Sequence, residues 1–282
     1  MSTQPTVTDE SARTEAAWRA IYDFTQRCLV FIVDGPINED KFASPNGSGT
    51  LFLTPGGNTV VLTAAHVLND PPGGYSLGGM ANNVRAVHNP FTKSWKHPSG
   101  QDGVDVAVAL LTDEAAQVFA KGAISVDAVA APNVELEPTD PTVICGYLEK
   151  LRTQKLDHAN KIKYQGFVAL SYNTRVVGFD EKRGRYKMAW DEGIADHDPE
   201  GMFKVFGFEK GTTFKQPIPS GVSGGPLWRL TGVKLDRVWS ASSAATIIGV
   251  CESWDTEAIE FCPSVRVWAD WFRETIVAVD SR

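Results

Sequence analysis
The sequence predicts an all-β fold of two antiparallel barrels, with a helix at each end. Three features predict it. Short runs rich in β-branched and aromatic residues recur along the chain, clusters of turn-forming residues separate them, and helical signals stand at the two ends.

Residues 9–28 come first. Ala16, Ala17, Ala20, Ile21, Phe24 and Cys28 fall near helical spacing, with Trp18 at the margin of the stripe. That spacing predicts an amphipathic helix laid on the barrel surface, and it sets 1–28 apart as an N-terminal helical extension. From Leu29 the period changes. Strand signals cover 29–33, 50–53, 59–63, 104–111, 142–147, 167–172, 185–190, 247–251 and 259–267. Asp34-Gly35-Pro36, Pro55-Gly56-Gly57, Pro71-Pro72-Gly73-Gly74 and His97-Pro98-Ser99-Gly100 punctuate them as turns. A short helical connector over 113–121 opens the junction between the barrels, placed at 112–140. The last helix begins at Ser264 or Val267 and runs to Val279, so one domain is expected over 29–282. The stretch 150–212 carries no pattern beyond its strand signals.

With 282 residues and 43% apolar composition the chain buries a substantial core. A formal charge of −7 argues against a nucleic-acid partner, which calls for a basic face. The basic clusters Lys182-Arg183-Gly184-Arg185 and 150–163 read as solvated loops or strand faces. No run approaches the roughly 18 apolar residues of a membrane span. Met1 to Glu10 lacks the charged-then-apolar pattern of a secretory leader, so the cytoplasm is the expected compartment. The four cysteines, Cys28, Cys145, Cys251 and Cys262, are scattered. Cys251 and Cys262 flank a turn near Asp255 to Glu257 and face each other across a hairpin in this reading, as packed thiols in a reducing compartment rather than a disulfide.

The chemistry concentrates at three places. Gly221-Val222-Ser223-Gly224-Gly225-Pro226-Leu227 sets a hydroxyl among glycines, which permit a tight turn and let backbone N–H groups converge on a developing oxyanion. A hydroxyl needs a base to become a nucleophile, and the base needs an anion to fix its tautomer. His66 ends the apolar run Val60-Val61-Leu62-Thr63-Ala64-Ala65 and is the candidate base. Asp105 heads Val106-Ala107-Val108-Ala109-Leu110-Leu111, which keeps its carboxylate from water. Its competitor, Asp102, sits in the loop sequence Gly100-Gln101-Asp102-Gly103. The other histidines, His88, His97, His158 and His197, fit no zinc spacing, and neither a metal nor an organic cofactor is expected.

At these residues the chain resembles the chymotrypsin-like (trypsin-fold) serine proteases, and in particular their disulfide-poor bacterial, HtrA-like branch without a PDZ domain. Gly47-Ser48-Gly49-Thr50-Leu51-Phe52-Leu53 with 60–66 resembles the hairpin that delivers the catalytic histidine. Ile248-Gly249-Val250 with Ser253-Trp254 resembles the substrate-binding strand, and Pro263-Ser264-Val265-Arg266-Val267 the last strand leading into the terminal helix. The resemblance implies two six-stranded barrels and a serine endopeptidase acting on a protein or peptide substrate through an acyl-enzyme. His66, Asp105 and Ser223 would form its triad, and the N–H groups of Gly221 and Ser223 its oxyanion hole.

Two departures from the family bear on activation and specificity. Val222 stands where zymogens of this type carry Asp, and no Ile-Val-Gly-Gly-like activation site is present near the N-terminus. The oxyanion loop is therefore expected to be set without N-terminal cleavage, intrinsically or by a regulatory protein partner. The resemblance assigns Pro217, Ser253, Trp254, Asp255 and Ser264 to the substrate pocket. Pro217 replaces the acid that binds basic side chains, and Asp255 and Ser264 replace glycines. A narrowed pocket for a small side chain and an acidic one for Lys or Arg, using Glu252 or Asp255, both stay open. The alternative to an enzyme is an inactive module of the same fold that binds protein.

Overall fold
Helix α1 (Val7–Arg27) leads directly into β1 (Leu29–Asp34), whose first five residues are all buried. The computed structural model describes residues 7–37, 45–79, 86–99, 103–156, 162–190, 221–231, 240–254 and 259–282. Beyond β1 the first sheet contains β2 (Pro45–Leu53), β3 (Thr59–Thr63), β4 (Tyr75–Gly79), β5 (Val87–His88), β6 (Phe91–Lys96) and β7 (Ala107–Leu111), in the order β5-β4-β1-β2-β3-β7-β6. Segment 87–96 is one strand broken at Asn89 and Pro90. Its first part pairs β4 and its second part pairs β7, so the sheet closes as a barrel of six strands. The two-residue β8 (Ile124–Ser125) lies parallel on β2.

Alternation along these strands sorts side chains into two cores, as a period of two requires. Val30, Ile32, Leu51, Val61, Leu77, Ala107 and Ala109 fill one cluster inside the first barrel. Leu29, Phe31, Phe52, Val60, Leu62 and Val108 face the other way, into a cluster continuous with the second barrel. Both faces of β1 and β3 are thus apolar, which is why their sequences read as unbroken hydrophobic runs.

Thr112 caps α2 (Asp113–Phe119) by accepting the Ala115 N–H, and a 3-10 turn, Ala120–Gly122, follows. The second sheet is ordered β13-β12-β9-β10-β11-β15-β14. Its strands are β9 (Thr142–Leu156), β10 (Ile162–Asp180), β11 (Arg185–Trp190), β12 (Pro226–Leu230), β13 (Ala245–Val250), β14 (Ser253–Trp254) and β15 (Ile259–Pro263). A bridge between Gly249 and Ser264 joins β13 to the end of β15, closing six strands into a ring with β14 outside it. The expected all-β architecture of two antiparallel six-stranded barrels with terminal helices is the one observed.

A four-residue helix, α3 (Ala241–Ala244), precedes β13, and α4 (Val265–Asp280) ends the chain. Buried Val265, Trp268, Ala269, Phe272, Ile276 and Val279 form a stripe at helical spacing on α4. Phe272 packs on Phe52 of the first barrel at 5.4 Å, while Trp268 donates its indole N–H to Pro263 O at 2.9 Å. Helix α4 therefore ties the barrels together. Helix α1 lies on the second barrel, with Phe24 edge-on to Trp228 at 5.7 Å. Ala17, Ile21, Phe24 and Cys28 are its buried face, whereas Ala16 and Ala20 point to solvent, narrowing the stripe expected from spacing.

Several strand ends differ from expectation. The strand before α2 starts at Ala107 because Val104-Asp105-Val106 turns sharply, with the Val106 N–H on Val104 O. The last strand stops at Pro263, since Ser264 accepts the Arg266 N–H and starts the helix there. Strands β9 and β10 extend to 15 and 19 residues, through the region where the sequence carried little pattern.

Candidate active site
The register of β3 against β7 pairs Thr63 with Ala107. Continuing past that pair, one chain reaches His66 and the other Asp105, so the sheet itself brings the imidazole and the carboxylate together. His66 sits in a 3-10 turn, Ala65–Val67, whose small buried alanines, Ala64 and Ala65, let the turn pack closely. The Asp105 side chain is only 6% exposed. One of its oxygens accepts the His66 backbone N–H at 2.9 Å, and the other is hydrogen-bonded to His66 Nδ1. A carboxylate only accepts, so Nδ1 carries the proton and the lone pair of the neutral ring is on Nε2. The His66 side chain is 34% exposed. Asp102 lies outside the described residues.

Ser223 reaches the same place from the second barrel. Gly221 (φ +94°) and Gly224 (φ +84°) adopt backbone conformations that disfavour any side chain. A Cβ on Gly224 would lie 2.1 Å from both Ser48 O and Thr63 Oγ1. Glycine is thus required by strain and by contact, because the Ser223 loop rests against the end of β3 that leads to His66. Gly225 N–H closes the turn on Val222 O at 2.7 Å, and Val222 is fully buried. Gly224 N–H donates to Cys251 O at 2.7 Å, fixing the loop to the end of β13.

Ser48 ties the loop to the first barrel. Its N–H donates to Ser223 O at 2.7 Å and its hydroxyl to Gly221 O at 2.8 Å, while that hydroxyl also accepts the Tyr147 N–H at 2.8 Å. Both carbonyls of the expected oxyanion loop thereby turn toward Ser48. The N–H of Ser223 donates to no group among the described residues. Sequence reading placed Ser48 in a strand hairpin but gave it no part in the site. Its glycine neighbours are the signal: a Cβ on Gly47 would sit 2.5 Å from Ser223 O.

The Ser223 hydroxyl donates to Glu252 O at 3.2 Å, and no hydrogen bond joins it to His66. Glu252 is itself a largely buried acid with a 12% exposed side chain, and Arg185 Nη1 lies 3.2 and 3.1 Å from its two carboxylate oxygens. Burial pushes its carboxyl above the ordinary range, Arg185 pulls it back, and the charge of Asp105 pushes it up again. Arg185 also meets Asp180 at 3.4 Å and lies over the Phe261 ring at 4.7 Å. The sequence read this arginine as part of a solvated cluster. Lys182 and Arg183 are exposed, but Arg185 turns inward as β11 begins.

Next to Glu252 lies a second buried acid, Glu260, which pairs with Trp254 across β14 and β15. One of its oxygens has no hydrogen-bond partner among the described residues, and burial followed by the Glu252 charge drives its carboxyl well above the usual range. Of the remaining pocket candidates, Ser253 is half-buried and Trp254 is 39% exposed on β14. Ser264 is fully buried, and its hydroxyl caps α4. Pro217 and Asp255 lie outside the described residues. Cys251 and Cys262 face each other with sulfurs 3.7 Å apart, as free thiols.

No protein-family model matches this sequence, and no curated protein does. Solved structures do. An inactivated protease paralogue of the scabies mite aligns over 91% of this chain and 97% of its own, at 15% identity and a TM-score of 0.53. The human heparin-binding protein aligns over 89% and 92% at 11% identity and a TM-score of 0.49. The protease of tobacco vein mottling virus aligns over 86% and 79% at 10% identity and 0.46. With its two closed six-stranded rings and its helix bridging them, the chain has the double-barrel fold of the trypsin-like proteases.

Proposed function
We propose that this chain is a serine endopeptidase that cleaves a protein substrate through an acyl-enzyme. The observation that carries this reading is the double hold of Asp105 on His66, one carboxylate oxygen on its backbone N–H and the other on its imidazole Nδ1, with the Ser223 loop packed against the end of the preceding strand. In the reaction the Ser223 hydroxyl leaves Glu252 O and turns to His66 Nε2. Its oxygen bonds to the scissile carbonyl carbon as Nε2 takes the proton, and the carbonyl electron pair moves onto oxygen, facing the N–H groups of Gly221 and Ser223. Collapse breaks the C–N bond, and the amine leaves with the His66 proton. Water, deprotonated by the same nitrogen, releases the acyl group. The active domain spans 29–282 with 1–28 as a helical extension, and its buried free thiols suit a reducing compartment such as the cytoplasm.

A fluorophosphonate probe, which reacts only with an activated serine, tests this. Labelling of Ser223 that disappears in Ser223→Ala and in His66→Ala is the expected result. One observation favours a second reading, a protein-binding module of the same fold: the Ser223 hydroxyl rests on Glu252 O rather than on His66. Complete absence of labelling in the wild type, with or without candidate partner proteins, would select that reading.

A further inference from the structure
Beside the site, His97, Ser99, Gly103 and Val104, the β10–β11 turn and the first turn of α4 line a half-open cavity of about 610 Å³, within the range of pockets that bury most of a bound ligand. Among the described residues three cations line it, Lys182, Arg183 and Arg266, against a single acid, Glu181. That excess stands out in a chain of net charge −7. Arg266 pairs with Glu135 at 3.2 Å and lies over the Phe179 ring at 5.5 Å, which holds it at the wall. Lys182 and Arg183 make no ion pair among the described residues and are exposed on the turn. The charge of Arg183 reaches Glu252. The first turn of α4 adds the positive end of a 16-residue helix and no acid.

Gly103 and Val104, the residues immediately before Asp105, also line it, so the cavity adjoins the proposed catalytic row. Its remaining surface is partly apolar, from Phe179, Val104 and Val267. Charge and shape thus fit the same occupant: carboxylates on aliphatic stems, presented by an extended chain that also reaches Ser223. Resting on the endopeptidase reading, we propose that this cavity binds an acidic stretch of the polypeptide substrate, at a distance from the scissile bond.

Binding is measured on Ser223→Ala protein, so that no turnover intervenes. Two fluorescein-labelled peptides are compared by anisotropy at low and high salt, one rich in glutamate and one with glutamine in its place. The glutamate peptide is expected to bind about tenfold tighter at low salt, as two or three half-exposed ion pairs imply. The preference should shrink at high salt, and disappear in Ser223→Ala carrying Lys182→Glu and Arg183→Glu, two exposed changes verified by an unaltered melting temperature. Equal binding of the two peptides, or a preference that survives the charge reversal, would overturn the proposal. So would a single-stranded oligonucleotide of equal charge binding more tightly than the glutamate peptide at the same residues. The probe experiment on Ser223 is independent: its failure removes the endopeptidase reading and leaves this measured preference as a property of a binding module.

Discussion
Arg185 holds both carboxylate oxygens of Glu252 through one nitrogen, at 3.1 and 3.2 Å, and Glu252 is the residue whose carbonyl receives the Ser223 hydroxyl. The pair therefore fixes the chain segment against which the Ser223 hydroxyl rests. A buried pair of this kind adds little net stability over an apolar one, but breaking it leaves a charge without a partner.

Arg185→Met should cost about 3–5 kcal/mol, because Glu252 would remain buried and unpaired. Adding Glu252→Met should recover more than half of the loss, since the second change removes the stranded charge. Urea unfolding of the two variants measures both effects. A single variant within about 0.5 kcal/mol of wild type would show that the pair is solvated and carries nothing.

All four cysteines should behave as unreactive thiols. Each is buried and reduced, and burial pushes Cys145 up to about 11 and raises the other three as well. A thiolate is the reacting species, so Ellman's reagent should find no fast-reacting thiol in the native protein. Four thiols should appear in denaturant without added reductant. A count of two would reveal a bridge between Cys251 and Cys262, whose sulfurs now stand 3.7 Å apart.

Much of this site was legible in the sequence, and the reasons are local. Ser223 and His66 sit in segments whose glycines and alanines have no other use, and Asp105 heads a strand that pairs with the one before His66. The missed residues act through contacts between distant segments. Ser48 reaches Gly221 and Ser223 across 173 and 175 positions, and Arg185 meets Glu252 across 67, so no spacing rule announces either. Strand β6, Phe-Thr-Lys-Ser-Trp-Lys in sequence, was invisible because none of its residues is buried. An exposed strand has no alternation to read.

Glu260 should make stability fall as pH rises. Its folded carboxyl lies well above the ordinary range, first through burial and then through the Glu252 charge, so the native state holds a proton that the unfolded chain releases above about pH 4.3. Protons bound in excess by the native state make stability decrease with pH, by up to about 1.4 kcal/mol per unit until the folded group also titrates. Glu260→Gln keeps the shape and has no proton to lose. The wild-type minus variant difference, from urea unfolding at several pH values, should therefore be most favourable to wild type in acid and decline toward neutrality. A difference independent of pH would mean that Glu260 is solvated in the folded protein.

Asp105→Asn should reduce the rate of fluorophosphonate labelling by about ten-thousandfold while leaving the fold intact. The reason lies in the two bonds that Asp105 accepts. The His66 backbone N–H has no alternative role, so the Asn oxygen must stay on it, and the amide NH₂ then faces Nδ1. Nδ1 has to become an acceptor, the ring proton moves to Nε2, and the nitrogen that should take the Ser223 proton already holds one. Rotating the amide by half a turn only transfers the clash to the backbone N–H. Nitrogen NMR of the imidazole should accordingly report Nδ1–H in wild type and Nε2–H in the variant. If labelling fell with the wild-type tautomer retained, Asp105 would be acting through charge alone. Labelling within about tenfold of wild type would remove it from the catalytic row altogether.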